Sequence, residues 1–203
     1  IMNQIIKNTI ILFVITLVAG ICLGTVHDIT LDPIAQAQEA AATKTYQEVY
    51  PDAASFDEPQ ELADAVTAAA DSISEWGFGK VTINDAKEAL DASGNQIGYL
   101  ITSTSAESYG GNVQIAVGIT NEGELTGIGF LSISDTPGLG MRAKEPDFKD
   151  QFIGKKAENL EVTKTGASAD NQIEAISGAT ITSKAVTNAT DAAIYFVANC
   201  LAQ

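Results

Sequence analysis

The pattern of apolar and polar positions begins with one long apolar run. Residues 9–26 carry no charge and are mostly Ile, Leu, Val, Phe, Gly and Ala. A helix of this length just spans a bilayer, which needs roughly 18–20 residues. Residues 31–50 are rich in Ala, Gln and Glu and predict a second helix, able to continue the first and ended by Pro51. A third helix is predicted over 60–75, because Leu62, Val66, Ala69 and Ile73 share one face.

From residue 81 the pattern changes to a period of two, which is typical of strands. Turn sequences separate the segments, so neighbouring strands are expected to pair as antiparallel hairpins. The final segment, 182–201, has an apolar stripe at helical spacing. The pattern therefore predicts an α+β domain, an antiparallel sheet with packed helices, behind an N-terminal transmembrane helix. Strands are predicted at 81–90, 96–105, 112–120, 124–134, 161–164 and 173–176, and a short helix at 147–152.

The charge of the chain excludes some classes of binding partner. The net charge of −15 argues against binding to nucleic acid, whose phosphates would be repelled. About half of the basic residues fall between Arg142 and Lys164. We favour a solvated surface as their role, and a local positive field beside a phosphate or another bound anion is the alternative. A single histidine, His27, and two cysteines, Cys22 and Cys200, predict neither a metal site nor catalytic triad chemistry.

The apolar run is interpreted as an uncleaved membrane anchor. Lys7 precedes it and acidic residues follow, so the positive-inside rule places the N-terminus in the cytoplasm and the rest of the chain outside. A cleaved signal peptide is the main alternative. The candidate cleavage site at 35–37 lies too far beyond the run, and Ile21 before Cys22 does not suit a lipoprotein site. We expect a membrane anchor at 1–27, a helical stalk at 28–59 and an extracytoplasmic domain at 60–203.

One segment carries the clearest chemical signal. Residues 177–183 read Ser-Gly-Ala-Thr-Ile-Thr-Ser, a run of small and hydroxyl residues after a predicted strand and before a predicted helix. The free N–H groups and positive end of a helix start suit a phosphate. Thr182 and Ser183 are predicted to cap the helix and to bond phosphate oxygens. A capped helix start with no ligand is the alternative.

A second segment reads Asp135-Thr136-Pro137-Gly138-Leu139-Gly140. Proline fixes one turn position and the glycines permit positive φ, so a tight turn is predicted. Leu139 stands between two glycines, so its side chain is expected to be exposed. Trp76 and Tyr109 are aromatic residues to which no role is assigned.

These two segments resemble the motifs of the FMN-binding domain family found in the G-type subunits of Rnf complexes and the C-type subunits of sodium-pumping NADH:quinone oxidoreductases. The resemblance implies one FMN, attached covalently through a phosphoester to Thr180 by a flavin transferase that takes it from FAD. It implies flavin contacts from Ser177, Gly178, Ala179, Thr182 and Ser183, and from Thr136, Gly138, Leu139 and Gly140. No catalytic residue and no metal ligand is assigned.

Four positions depart from the usual family pattern. Glu174 stands where an aspartate is usual, three residues before the serine, as part of what the transferase recognises. Asp135 replaces a glutamate. Met141 and Arg142 replace the Gly-Glu usual in the quinone reductases, which favours the Rnf type.

The function implied is that of an electron-carrier subunit in a membrane-bound Rnf complex, which transfers electrons between ferredoxin and NAD and couples this to sodium or proton movement. The protein would be part of a redox translocase and not catalytic by itself. Integral membrane subunits carrying flavin and iron–sulfur centres would be its partners. The alternatives are a C-type role in a sodium-pumping NADH:quinone oxidoreductase, an independent membrane-anchored flavoprotein, and a non-redox binding module.

Overall fold

The computed structural model describes residues 2–156 and 159–201, and the chain divides into two compact units between Ala42 and Thr43. One continuous helix, α1, runs over Met2–Val49 and contains Pro33. The prediction that residues 31–50 continue the apolar helix is therefore confirmed. By length and composition α1 could cross a membrane, and the side chains of its apolar part are exposed.

The second unit is built on a five-stranded antiparallel sheet whose strands follow one another in sequence order. This arrangement confirms the predicted α+β class and the predicted hairpins. The turn residues at each end allow neighbouring strands to pair directly. The strands are β1 Ser55–Asp57, β2 Val81–Leu90, β3 Gln96–Ser108, β4 Gly111–Thr120 and β5 Leu125–Ile133.

Both faces of the central strands are covered, which explains their unbroken apolar runs. Helix α2, Gln60–Ala70, and the last helix, α4, Thr180–Phe196, pack on one face, where Ile101 and Val117 enter the main core. On the other face Leu100 and Ala116 pack against Val49 in the last turn of α1. Two glycines permit this close approach: a Cβ at Gly129 would lie 2.6 Å from Val49 Cγ2, and one at Gly118 would lie 3.1 Å from Val49 Cγ1.

The segment after β5 brings the chain back to the sheet. A 3-10 turn, Gly140–Lys144, is followed by the short helix α3, Pro146–Lys149, and a second 3-10 turn. Two short strands, β6 Glu161–Thr163 and β7 Gln172–Glu174, pair in parallel as a separate sheet. The chain then enters α4, whose side chains Val186 and Phe196 are fully buried.

Two predicted helices have different bounds in the structure. The helix predicted over 60–75 ends at Ala70, and a single 3-10 turn covers Ile73–Glu75. The last helix begins at Thr180 rather than Thr182, and a π turn replaces the α-helix from Val197. Helix α4 begins two residues earlier than predicted because its first helical hydrogen bond runs from the Ser183 N–H to the Ala179 carbonyl, at 3.0 Å.

An acidic side chain lies inside the main core. Asp191 of α4 is 4% exposed, and its Oδ1 accepts the Leu160 N–H at 2.9 Å. Burial raises its pKa to about 7, and the hydrogen bond from Leu160 only partly opposes this. This hydrogen bond holds the residue before β6 against α4. The buried carboxyl group of Asp191 is correspondingly hard to ionise.

We expect the unfolding free energy to fall as pH rises from about 4 to about 7. In this range the folded chain holds a proton on Asp191 that the unfolded chain releases, so stability declines by roughly 1.4 kcal/mol per pH unit, or about 4 kcal/mol at most. Asp191→Asn keeps an acceptor for Leu160 and removes the titration, so its stability should change much less over the same range. Urea unfolding of the full chain in detergent measures the effect. The exposed Asp147→Asn is the control, and an equal pH slope in wild type and Asp191→Asn would contradict this account.

Candidate functional site

The two sequence motifs meet at a single cleft. The loop after β5 forms one wall and the start of α4 forms the other, and the cleft has a volume of about 490 Å³. That volume lies within the range of small-ligand sites, roughly 300–1,000 Å³. Its lining residues are Tyr109, Asp135, Thr136, Leu139, Gly140, Gly178, Ala179, Thr180, Ile181 and Thr182.

Backbone hydrogen bonds fold the loop after β5 into compact turns. The Thr136 carbonyl accepts the N–H groups of Leu139 at 3.1 Å and Met141 at 3.3 Å. Gly138 has a φ of 78°, which a side chain would disfavour. The turn leaves Leu139 43% exposed at the edge of the cleft.

The segment before α4 is held at both ends. Gln151 Oε1 accepts the Glu174 N–H at 2.7 Å, and Gln151 Nε2 donates to the Glu174 carbonyl at 3.2 Å. Further along, Ser183 Oγ accepts the Ile176 N–H at 3.0 Å and donates to the Ala179 carbonyl at 3.0 Å. The backbone on either side of Ser177 is therefore fixed before Thr180 opens the helix.

Thr180 is the first residue of α4 and is half-buried in the cleft wall. The N–H groups of a first helical turn have no carbonyl partner within the helix, and the helix dipole places positive potential there. This end of the cleft therefore suits an anionic group beside the Thr180 hydroxyl.

The predicted capping role of Thr182 and Ser183 is wrong. The residue at the cap position is Ala179, and no side chain caps the helix. Thr182 and Ser183 lie inside the first turn with no exposed surface. Their hydroxyl groups donate to Asp135 and to the Ala179 carbonyl, and contact of either hydroxyl with a phosphate stays a prediction.

Asp135 connects the parts of the cleft. Its Oδ2 accepts the Thr182 hydroxyl at 2.7 Å and the Ser108 hydroxyl at 2.9 Å, and its Oδ1 accepts the Thr136 N–H at 2.6 Å. These donors belong to α4, to the end of β3 and to the loop after β5. One carboxylate thus joins three segments that are distant in sequence.

The same hydrogen bonds control the ionisation of Asp135. Partial burial raises its pKa, but the donors outweigh burial and leave the pKa below the ordinary value. They are the Thr182 hydroxyl, the Thr136 N–H, the Ser108 hydroxyl and the Gly110 N–H, in decreasing order of effect. Asp135 is therefore negatively charged at neutral pH.

Glycine is required where the backbone meets this carboxylate. A Cβ added at Gly140 would overlap the Asp135 carboxyl group, and one at Gly110 would overlap the Ser134 carbonyl. Gly178 has a φ of 80°, and a Cβ there would lie 3.1 Å from Leu139 Cδ2. The glycines of both motifs thus allow the two walls to approach each other.

The rim of the cleft is apolar. Among the described residues after α1, four large apolar side chains are exposed, and three of them line this cleft. They are Tyr109 at 73%, Ile181 at 54% and Leu139 at 43% exposure. Exposed apolar side chains gathered at one place mark a ligand or partner site. A flat apolar ring would cover them.

Not every predicted site residue lies on the cleft. Gly178, Ala179, Thr180, Thr136, Leu139 and Gly140 line it, as does Thr182. Ser177 lines a neighbouring cleft of about 300 Å³ together with Glu174. Gly138 and Ser183 are not among the lining residues. Gly138 lies in the turn of the loop after β5, and Ser183 Oγ accepts the Ile176 N–H before α4.

Comparison with known proteins shows which family the chain resembles. The family model for an FMN-binding domain matches residues 108–195, and the model for the RnfG N-terminal region matches residues 2–49. The G-type subunit of the Na⁺-translocating ferredoxin:NAD⁺ oxidoreductase complex of Acetobacterium woodii is 35% identical over 201 residues, which cover 95% of this chain and 91% of that protein. The chain belongs to the RnfG family of ion-translocating oxidoreductase complexes.

Other relatives extend the comparison. The G-type subunit of the proton-translocating ferredoxin:NAD⁺ oxidoreductase complex of Clostridium ljungdahlii is 30% identical over 194 residues, covering 95% of this chain and 91% of that protein. The crystal structure of the C-type subunit of the Na⁺-translocating NADH-quinone reductase from Parabacteroides distasonis covers 58% of this chain and 63% of that chain, with 24% identity and a TM-score of 0.49. The two RnfG relatives are named for different ions.

The basic residues between Arg142 and Lys164 do not surround the cleft of this RnfG family member. None of the six is among its lining residues. Arg142 Nε pairs with Glu145 Oε2 at 3.1 Å, and Lys155 Nζ donates to the Asp170 carbonyl at 2.6 Å. These six side chains therefore do not form the walls of the cleft.

Three residues at the cleft could not be assigned to it from the sequence. Tyr109 was a lone aromatic, and Ser108 beside it was an unremarkable strand residue. Asp135 belonged to the recognised loop, but only the fold shows that its carboxylate faces α4. Trp76, the other aromatic residue left without a role, packs on Tyr195 with ring centroids 4.7 Å apart.

We expect Gly140→Ala to destabilise the domain by about 1–3 kcal/mol, because the new methyl group overlaps the Asp135 carboxylate. Combining it with Asp135→Ala removes the clash, so the double variant should lose less stability than the sum of the single variants. Urea unfolding of the four chains in detergent gives the coupling energy. Strict additivity would show that the two residues do not constrain each other.

Proposed function

We propose that this chain is the FMN-carrying subunit of a membrane-bound Rnf-type complex that transfers electrons between ferredoxin and NAD and couples the transfer to sodium or proton movement. Its relatives are named as subunits of such complexes. The observation that carries the proposal is the meeting of the Thr180 segment and the Leu139 loop in one cleft of flavin size. When bound, FMN would supply the uptake and release of electrons.

The proposed attachment is one FMN held by a phosphoester to Thr180 Oγ1. In a transfer from FAD, the bond between the FMN phosphorus and the Thr180 oxygen forms while the pyrophosphate bond breaks, and AMP leaves with the Thr180 proton passing to solvent. The start of α4 favours the phosphate at this position. No histidine lies in the motif, so Thr180 is a modified acceptor and a separate flavin transferase performs the reaction.

The remaining cleft residues would hold the ring. Leu139, Tyr109 and Ile181 provide apolar contact surface that is otherwise exposed. Gly178 and Ala179 leave room for the phosphate because they carry little or no side chain. Thr136 and Gly140 complete the loop wall.

A covalent link suits the proposed location. We place the N-terminus in the cytoplasm and the domain outside, with an anchor at 1–27, a stalk at 28–59 and the FMN domain at 60–203. Outside the cytoplasm there is no FMN pool to refill an open cleft, so a phosphoester prevents loss of the cofactor. The integral membrane subunits of the complex, with their flavin and iron–sulfur centres, would exchange electrons with it.

The test is the mass and colour of the full chain co-expressed with a flavin transferase. We expect wild type to gain the mass of one FMN less one water and to keep flavin fluorescence after denaturation. Thr180→Ala should lose both signals, because no hydroxyl remains at the attachment point.

Thr67→Ala is the matched control. It removes the same hydroxyl from an exposed position on α2, where Thr67 Oγ1 donates to the Ala63 carbonyl, and it should load like wild type. Flavin that survives denaturation in Thr180→Ala would refute attachment at this residue. A wild-type mass equal to that of the bare polypeptide would favour the non-redox alternative.

A further inference from the structure

Asp135 is the one charged side chain among the ten described residues that line the flavin cleft. The other nine are apolar, glycine, hydroxyl or phenol residues. A fixed charge in a partly enclosed apolar site acts more strongly than the same charge in water, because less solvent screens it. No other charged side chain among these lining residues therefore cancels the electrostatic effect of Asp135 on a bound ligand.

The geometry holds this carboxylate in place and ionised. Hydroxyl groups of Ser108 and Thr182 and the N–H of Thr136 approach it at 2.6–2.9 Å. Through Thr182 it is also tied to the first turn of α4, next to Thr180. A negative charge at this position offsets the positive potential of the helix start.

We propose that Asp135 is a positioning residue with an electrostatic function: its negative charge makes the bound flavin harder to reduce, while its hydrogen bonds fix the distance between the two cleft walls. This inference rests on the proposed function. Full reduction of FMN takes up two electrons and one proton, so the ring gains one negative charge. The complex supplies the electrons and solvent supplies the proton. A neighbouring carboxylate disfavours that added charge.

Two contributions act in the same direction. Asp135 repels the charge that the ring gains, and it weakens the helix potential that would otherwise favour this charge. Removing the charge should therefore shift the midpoint potential to more positive values. Removing one donor to the carboxylate should do the opposite, because its negative charge is then less neutralised.

The experiment is a redox titration of the full, flavin-loaded chain in detergent at fixed ionic strength. Asp135→Asn should favour the reduced flavin at least tenfold, a positive shift of about 30 mV for a two-electron couple. Asp135→Glu keeps the charge and should return the potential toward wild type. Ser108→Ala keeps the carboxylate but removes one donor, so its potential should shift in the negative direction.

Asp71→Asn is the charge control. Asp71 is exposed at the end of α2 and does not line the cleft, so its removal changes net charge equally and should leave the potential near wild type. A potential of Asp135→Asn equal to that of Asp71→Asn would overturn the inference. So would a positive shift in Ser108→Ala, because a merely loosened cleft would move both variants together.

Failure of this inference can be separated from failure of the proposed function by mass. Wild type that carries FMN while Asp135→Asn keeps its potential refutes only the role of Asp135. Wild type without covalent FMN refutes both. Should Asp135→Asn not load, Ser108→Ala decides: a negative shift supports the inference, and an unchanged or positive potential overturns it.

Discussion

The hydrogen bonds to the Asp135 carboxylate are the interaction on which the candidate site depends. They join the end of β3, the loop after β5 and the first turn of α4, three segments that no backbone pairing connects directly. Because Gly140 and Gly110 allow close backbone approach there, the partly exposed carboxylate sits between the walls. The cleft between Leu139 and Thr180 exists because this contact sets the separation of its two walls.

The sheet supplies the rigid part of this arrangement. Its central strands are buried on both faces, by α4 on one and by the last turn of α1 on the other. Loops that carry a site are positioned accurately when the scaffold beneath them is packed in this way. The cleft itself is open, with Tyr109 and Ile181 more than half exposed. On our proposal a covalent bond, rather than enclosure, retains the cofactor.

Most of the fold could be predicted from local patterns. The bounds of β2 agree with the prediction and those of β3, β4 and β5 differ by a few residues, since alternation and turn residues act locally. The short edge strand β1 was not predicted, because three residues are too few for a periodic pattern. The start of α4 was misplaced because hydroxyl residues resemble caps. In the fold, Ser183 instead accepts the Ile176 N–H seven residues earlier, and Thr182 donates to a carboxylate 47 residues away. Neither partner can be inferred from helix-capping rules.

The apolar helix, the antiparallel hairpins and the two motifs follow from local sequence, because each depends on residues that are neighbours along the chain. The resemblance of those motifs to an FMN-binding family, confirmed by the relatives, followed from the same local residues. Which side chains meet in the cleft depends instead on how the chain packs in three dimensions. Asp135, Ser108 and Tyr109 gain their roles there because long-range packing of the sheet against α4, rather than chain proximity, brings them to Thr180.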